Sequence, residues 1–271
     1  MGGDQQSSSG AADQVSNQAK AFDEKFAHGS RNLVTSGDPL VRYLTRWRME
    51  MAWRRFTSLT DLGHEPSVLI LCAGDGGEAT VLADLGVTDI TITDNSERAV
   101  TAALGADPRL SGFVCNALDS GIDDDAFDIV IVQDGLHHLP EPVRGFTEML
   151  RIGRRGAFFL EGSDSLAGRL IGKQWEIEAG HENYVFRWSR HLVDQVTNAY
   201  LGRDRFRNGS FSFWHHNVHM HRLGQHLGAP KVAARRIDTM KRWGDILAPR
   251  GGNQFCGMVT KKHGIAPPGR H

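Results

Sequence analysis

The sequence predicts an α/β fold, a doubly wound open sheet of mostly parallel strands, on three observations. Ser67-Val68-Leu69-Ile70-Leu71-Cys72 is a short, wholly apolar run of the kind that a parallel sheet buries on both faces. Similar runs then alternate with segments of helical period, the signature of strand–helix–strand crossovers. Gly74, Gly76 and Gly77 follow the first run, where a strand hands over to a helix and backbone must come close to a ligand. The expected architecture is a Rossmann-like seven-stranded sheet with a C-terminal edge hairpin and a helical, aromatic cap insertion.

The elements follow in order. Residues 1–20 are rich in Gln, Ser, Gly and Asp, too polar to bury a core, and are expected to be a flexible tail without the apolar centre of a signal peptide. Residues 21–62 read as an N-terminal helical segment. In LVRYLTRWRMEMAWRRF, Leu40, Tyr43, Leu44, Trp47, Met51 and Phe56 recur near helical spacing, with arginines between them. Residues 63–161 form the cofactor-binding core. Its strands are expected at Ser67–Cys72, Asp89–Thr93, Gly112–Cys115, Phe127–Val132 and Arg155–Leu160, and helices at Ser96–Leu104 and Glu141–Ile152.

From residue 162 to 216 the alternation stops, and aromatics and histidines accumulate around one helix at Ser189–Leu201. This is the expected cap over the acceptor. Residues 217–261 supply a last helix at Val218–Leu227 and two strand-like pieces, Val232–Met240 and Gln254–Thr260. Pro249, Gly251 and Gly252 between those pieces suggest the edge hairpin. Residues 262–271 are expected to be a second flexible tail.

Composition narrows the function classes. The chain has 271 residues, 40% hydrophobic and 23% charged, with 31 basic and 32 acidic side chains. A formal net charge of -1 gives no global pull toward nucleic acid or an anionic membrane. Arg203-x-Arg205-x-Arg207 is too small a basic spot for a nucleic-acid footprint, and no Asn-Pro-Pro-aromatic motif is present. No apolar run approaches the roughly 20 residues that span a bilayer. Cys72, Cys115 and Cys256 form no CxxC pair, which suits a reducing cytoplasm.

The loop chemistry leaves two cofactor classes open. Gly74-x-Gly76-x-x-Ala79, with Asp94 placed to accept both hydroxyls of an adenosine ribose, matches a dinucleotide fingerprint. Yet Asp75 and Glu78 set acids where a pyrophosphate would lie, and acids are better tolerated around a positively charged sulfonium. Acids also favour any helix N-terminus, so the loop alone does not decide.

The downstream motifs add more. Asn116-Ala117-Leu118-Asp119 follows the third strand, and FDIVIVQDGLHHLPEP spans the fourth strand and its exit. From about Ser67 to Glu161, and again at the last helix and hairpin, the chain resembles the class I S-adenosylmethionine-dependent methyltransferases of small-molecule type. That resemblance implies S-adenosyl-L-methionine as cofactor. It places Cys72, Ala73, Gly74, Asp75 and Gly76 along the cofactor, Asp94 on the ribose and Asn95 beside the adenine. Asn116 and the backbone of Ala117 would meet the adenine, and Gln133 and Asp134 the methionine moiety. Two positions depart from the family pattern: Ile70 replaces the usual first-strand acid, and Cys72 the first glycine.

The acceptor side is read from histidines and aromatics. His137, His138 and His181 are the candidate catalytic bases, against the plainer reading that they pack a turn and a cap. Trp175, Tyr184, Phe186, Trp188, Phe211, Phe213 and Trp214 suit either a small-molecule pocket or a self-packed cap. His215 and His219 share a helical face, but no Cys or carboxylate completes a ligand set, so no metal is expected. The expected activity is methyl transfer to an O or N atom of a small organic acceptor such as a specialised metabolite. The alternatives are an NAD(P)-dependent oxidoreductase, an aminopropyl transferase suggested by the GDGG quartet, and a non-catalytic cofactor-binding scaffold. The Leu40–Phe56 helix offers a surface for a homodimer.

Overall fold

The structure is a computed structural model that describes residues 15–17, 19–21, 23–24, 33–60, 62, 65–171, 174–178, 181–247 and 251–262. Of the expected tails, 1–20 and 262–271, residues 1–14, 18 and 263–271 lie outside the described residues, whereas 15–17 and 19–20 are helical.

Helix α1 (Pro39–Leu59) precedes the core, and Asp38 caps it by accepting from the amides of Leu40 and Val41. The core runs β1 (Ser67–Ile70), α2 (Gly77–Asp84), β2 (Asp89–Asp94), α3 (Glu97–Ala106), β3 (Ser111–Val114) and β4 (Phe127–Gln133). It continues with α4 (Pro142–Ile152) and β5 (Gly153–Gly162). After β5 come α5 (Leu166–Ile171), a hairpin of β6 (Trp175–Glu178) and β7 (His181–Tyr184), and α6 (Arg190–Leu201). The chain closes with β8 (Phe206–Asn208), β9 (Phe211–Phe213), α7 (Asn217–Gln225), α8 (Pro230–Leu247) and β10 (Gln254–Lys261).

One eight-stranded sheet runs β3-β2-β1-β4-β5-β10-β8, with β9 also on β10. The first five strands are parallel, and β10 is antiparallel to β5. The order turns back between β1 and β4, which puts the ligand crevice at the carboxyl ends of those two strands.

Alternate side chains feed two cores, as the two-residue period of a strand requires. Val68, Ile70, Ile129, Ile131, Phe158, Leu160 and Met258 meet Met49, Ala52, Trp53 and Phe56 of α1 and Leu82 of α2. Leu69, Leu71, Val130, Val132, Ala157 and Phe159 meet Phe146, Met149 and Leu150 of α4, Val193 of α6, and Trp188. Both faces are covered, which explains why these strands read as unbroken apolar runs.

Three expectations need correction. Val232–Met240 is not a strand but part of α8: Ala233, Ile237 and Lys241 are buried while Arg235 and Thr239 between them are exposed, whereas a strand would put all five on one face. The edge hairpin therefore does not form. β10 pairs instead with β5 on one side and with β8 and β9 on the other, so the sheet has eight strands rather than seven. Finally, the stretch from 162 to 216 does more than cover a pocket. Trp188 and α6 belong to the second core, and β8 and β9 belong to the sheet. Trp175 and Tyr184, on the β6–β7 hairpin, are its exposed aromatics, in edge-to-face contact with each other. The apolar face of α1 packs within the chain, with Leu40 and Leu44 against Ala233 and Ile237 of α8.

At the amino ends of the strands, Asp128 is 1% exposed and ties three strands together. It accepts from the Ser67 amide (3.1 Å), from Arg154 Nη2 (2.8 Å) and from Arg155 Nε (2.9 Å). Burial works to raise its pKa, but the bonds from Arg154, Ser67 and Arg155 win and hold it below the ordinary carboxylate value. A carboxylate lowered on folding contributes stability above its unfolded pKa and loses it as pH falls through the folded one. Asp128→Asn is therefore expected to cost about 2–4 kcal/mol in urea unfolding at pH 7, with the gap to wild type narrowing under acid. Equal midpoints at pH 7 would contradict this.

Candidate active site

Five loops meet at the carboxyl edge. The loop after β1 is wound left-handed at Cys72 (φ 54), Gly74 (φ 52) and Gly76 (φ 74). Gly76 is fixed twice, because its φ favours glycine and an added Cβ would lie 2.8 Å from the Ala103 Cβ of α3. Two bonds hold the loop to β2: Ala73 N–H donates to the Thr93 carbonyl (2.9 Å), and Gly74 N–H donates to Asp94 Oδ2 (2.9 Å). The other oxygen of Asp94 accepts from the Ser96 amide (3.0 Å). Asp94 thus holds the glycine loop against the start of α3, with its carboxylate 7% exposed.

The N-terminal segment closes on the same corner. Asn95 Nδ2 donates to the Val15 carbonyl (3.4 Å) and Ser96 Oγ to Asp23 Oδ1 (2.5 Å). Asn116 Oδ1 accepts from the Leu118 amide (3.0 Å), which shapes the turn that carries Ala117. Ile70 is simply core, 1% exposed. Cys72 fills the place of the missing glycine, packed so closely on Gly135 that a Cβ there would meet it at 2.5 Å. Burial keeps the Cys72 thiol protonated, so its role is packing.

Charge concentrates where β1 and β4 end. Asp134 has φ 52, a strained left-handed conformation that turns its carboxylate toward α1. There Arg48 clasps it through both guanidinium nitrogens, and Arg48 Nη1 also donates to Gln254 Oε1 of β10 (3.0 Å). Burial alone would lower the Arg48 pKa, but the charge of Asp134 raises it. Glu78, at the head of α2, accepts from Gln133 Nε2 (2.5 Å). Its pKa is raised to about 7, first by burial and then by the charges of Asp75 and Asp134, with Arg48 opposing. Gln133 Oε1 and Arg48 Nε are buried and have no hydrogen-bond partner among the described residues.

A second buried cluster is built on the 3-10 turn Leu136–His138. Glu161 of β5, fully buried, accepts from the Leu136 amide (2.7 Å) and pairs with His137 Nδ1 (2.6 Å). Burial would lower the His137 pKa, but the Glu161 charge holds it well above the ordinary imidazole value. Asn183 of β7 donates to the His137 carbonyl (2.7 Å) and reaches His138 Nδ1 (3.3 Å). Only the backbone of His181, in β7, is described; its side chain lies outside the described residues.

Among the described residues the other histidines form no three-ligand cluster, although the rings of His216 and His219 lie 4.1 Å apart. His215 stacks on Trp47 and accepts from Lys241 Nζ (3.1 Å), and its pKa is lowered to about 2 by burial and by Lys241. His216 caps α7, and His221 pairs with Asp38 (2.9 Å).

Sequence reasoning missed Arg48, Glu161, Glu176 and Asn183. For Arg48 a signal was present: it falls on the stripe Leu40, Leu44, Arg48, Ala52, Phe56, an arginine among buried positions four residues apart. For the others no local pattern exists, because they reach the site from β5 and from the β6–β7 hairpin.

The donor set suits a cofactor that carries an ammonium, a carboxylate and a sulfonium. The orphaned Gln133 oxygen is an acceptor, the orphaned Arg48 Nε a donor, and Asp75 and Glu78 oppose positive charge.

Comparison with known proteins agrees. Residues 69–160 match the methyltransferase domain family. A demethylmenaquinone methyltransferase from Beutenbergia cavernae is 37% identical over 110 residues, 40% of this chain and 45% of that protein. The chain therefore matches less than half of that relative's length. A demethylmenaquinone methyltransferase from Clavibacter sepedonicus is 24% identical over 75% of each chain. Magnesium protoporphyrin IX methyltransferase from Synechocystis, solved with S-adenosylhomocysteine bound, shares the fold with a TM-score of 0.56. It is 12% identical over 92% of this chain and 100% of its own. Described helices include none long and apolar enough to cross a membrane. The domain match over residues 69–160 and the two relatives support a class I S-adenosylmethionine-dependent methyltransferase, and the sheet order agrees with that fold.

Proposed function

We propose that the chain transfers a methyl group from S-adenosylmethionine to an O or N atom of a small organic acceptor. The observation that carries this is the carboxyl edge itself. Asp94 locks a left-handed glycine loop, and beside it Asp75, Glu78 and the orphaned Gln133 oxygen form a pole for positive charge.

Gly74, Gly76 and the turn at Asn116–Ala117 would border the adenosine, with Asp94 on its ribose and Asn95 beside the base. Gln133 and Glu78 would take the place of the absent first-strand acid near the ammonium. The sulfonium supplies an activated methyl, so the chain has mainly to align an acceptor lone pair with it. As the new carbon–oxygen or carbon–nitrogen bond forms, the carbon–sulfur bond breaks and its electron pair stays on sulfur, while the acceptor's proton leaves. His137, His138 and His181 border the acceptor in this reading, with Trp47 and Lys241 beside Arg48. The two sequence relatives are named for a quinone acceptor, which supports a ring-shaped substrate.

Titration calorimetry with S-adenosylhomocysteine and with NAD separates this reading from an oxidoreductase. Binding of the first is expected, and NAD binding without it would overturn the proposal. Asp94→Ala should weaken S-adenosylhomocysteine about 10- to 100-fold, through loss of a charged acceptor and of the loop's anchor. Unchanged affinity would place the ribose elsewhere.

Glu78 gives a second, proton-linked test. Near pH 7 it is about half protonated, and a cation beside it lowers its pKa. S-adenosylmethionine binding at pH 7 should therefore release up to about half a proton, read as a dependence of binding heat on buffer ionisation enthalpy. Glu78→Gln should abolish the release, and a release that persists would assign it to another group.

A further inference from the structure

We propose that His137, His138 and Glu176 form a binding site for a divalent transition-metal ion on the acceptor side of the active site. The three side chains can each offer one ligand atom, and these atoms all lie within 4.8 Å of one another. They come from two elements, the turn after β4 and strand β6, that only the folded chain brings together. His137 Nε2 already stands 3.7 Å from a Glu176 oxygen, the spacing of two groups with room for an ion to draw them in.

The surroundings are built as a metal site's second layer is built. A ligating histidine commonly uses its other ring nitrogen on a carboxylate, which fixes the ring and strengthens the ligand. Glu161 does this for His137, at 2.6 Å and with no exposure. Its second oxygen holds the Leu136 amide, and Asn183 holds the His137 carbonyl, so the turn that carries both histidines is pinned from two sides. Glu176 is 38% exposed along its side chain, on the solvent side of the two rings.

The ligand chemistry selects the ion. Two imidazoles and one carboxylate suit Zn²⁺, Fe²⁺ or Co²⁺, whereas Mg²⁺ and Ca²⁺ favour all-oxygen sets. Three protein ligands leave at least one position open. Resting on the reading of this edge as the methyl-transfer site, that position would take an acceptor oxygen, a hydroxyl or a ring carbonyl, close to Asp134, whose charge both histidines feel.

The test is a titration of chelator-treated protein with Co²⁺, followed by its visible absorption. One equivalent should bind with intense bands, and Zn²⁺ should displace it. Glu176→Gln and His138→Ala should each weaken binding at least about 10-fold. Because Glu176 is half exposed and His138 is outside the core, both variants should fold. Failure of Co²⁺ to bind, or binding unaltered by both substitutions, would overturn the site and leave His137–Glu176 as an ion pair only. S-adenosylhomocysteine titration of the metal-free wild type reads the cofactor proposal separately, so the two can fail independently.

Discussion

The active edge depends on one ion pair, Arg48 with Asp134. Arg48 is 10% exposed along its side chain and Asp134 42%, so a buried cation meets a carboxylate that still opens onto the site. Leaving a guanidinium buried without its partner costs several kcal/mol, enough to make α1 and the end of β4 a single unit. The same guanidinium reaches Gln254 of β10, and its charge tempers Glu78. Without it, the mutual repulsion of Asp75, Glu78 and Asp134 would lose its strongest opposing charge. With it, the corner keeps a negative bias that a cationic cofactor can use.

The sheet explains why this corner exists. Reversal of strand order between β1 and β4 opens a crevice, and the alternating side chains of those strands are all consumed in the two cores. Only backbone and the last side chain of each strand face that crevice, which is why Asp94 and Gln133 meet the loop and helix that border it. Asp128 performs the opposite task at the other end, where charge serves only cohesion. The β6–β7 hairpin then brings Glu176 and Asn183 over the histidine turn, so the acceptor side is assembled from non-local parts.

How much was legible follows from the range of each signal. The parallel strands and the glycine loop were readable, because burial on both faces and the close packing of Gly76 leave local marks. Cys72 and Ile70 stood out as departures, and the structure gives both a packing role. Val232–Met240 was misread because apolar residues four apart share a face in a strand as well as in a helix; the exposure of Arg235 and Thr239 between the buried Ala233, Ile237 and Lys241 separates the two. Arg48 was hidden in plain view on an apolar stripe. Glu161, Glu176 and Asn183 had no local mark at all, since their meaning comes from contacts across 20 or more residues of chain. The same holds for the histidines: His215 and His221 turn to Trp47 and Asp38, while His137 meets a carboxylate, Glu176, from a distant strand.

A double-mutant cycle on Arg48 and Asp134, read as affinity for S-adenosylhomocysteine and as unfolding free energy, tests the central claim. The account predicts that Arg48→Met and Asp134→Asn each weaken both readouts. It also predicts that the double variant loses less than the sum of the two, with a coupling of about 1–3 kcal/mol. Additive losses, or single variants that bind and unfold like wild type, would contradict it.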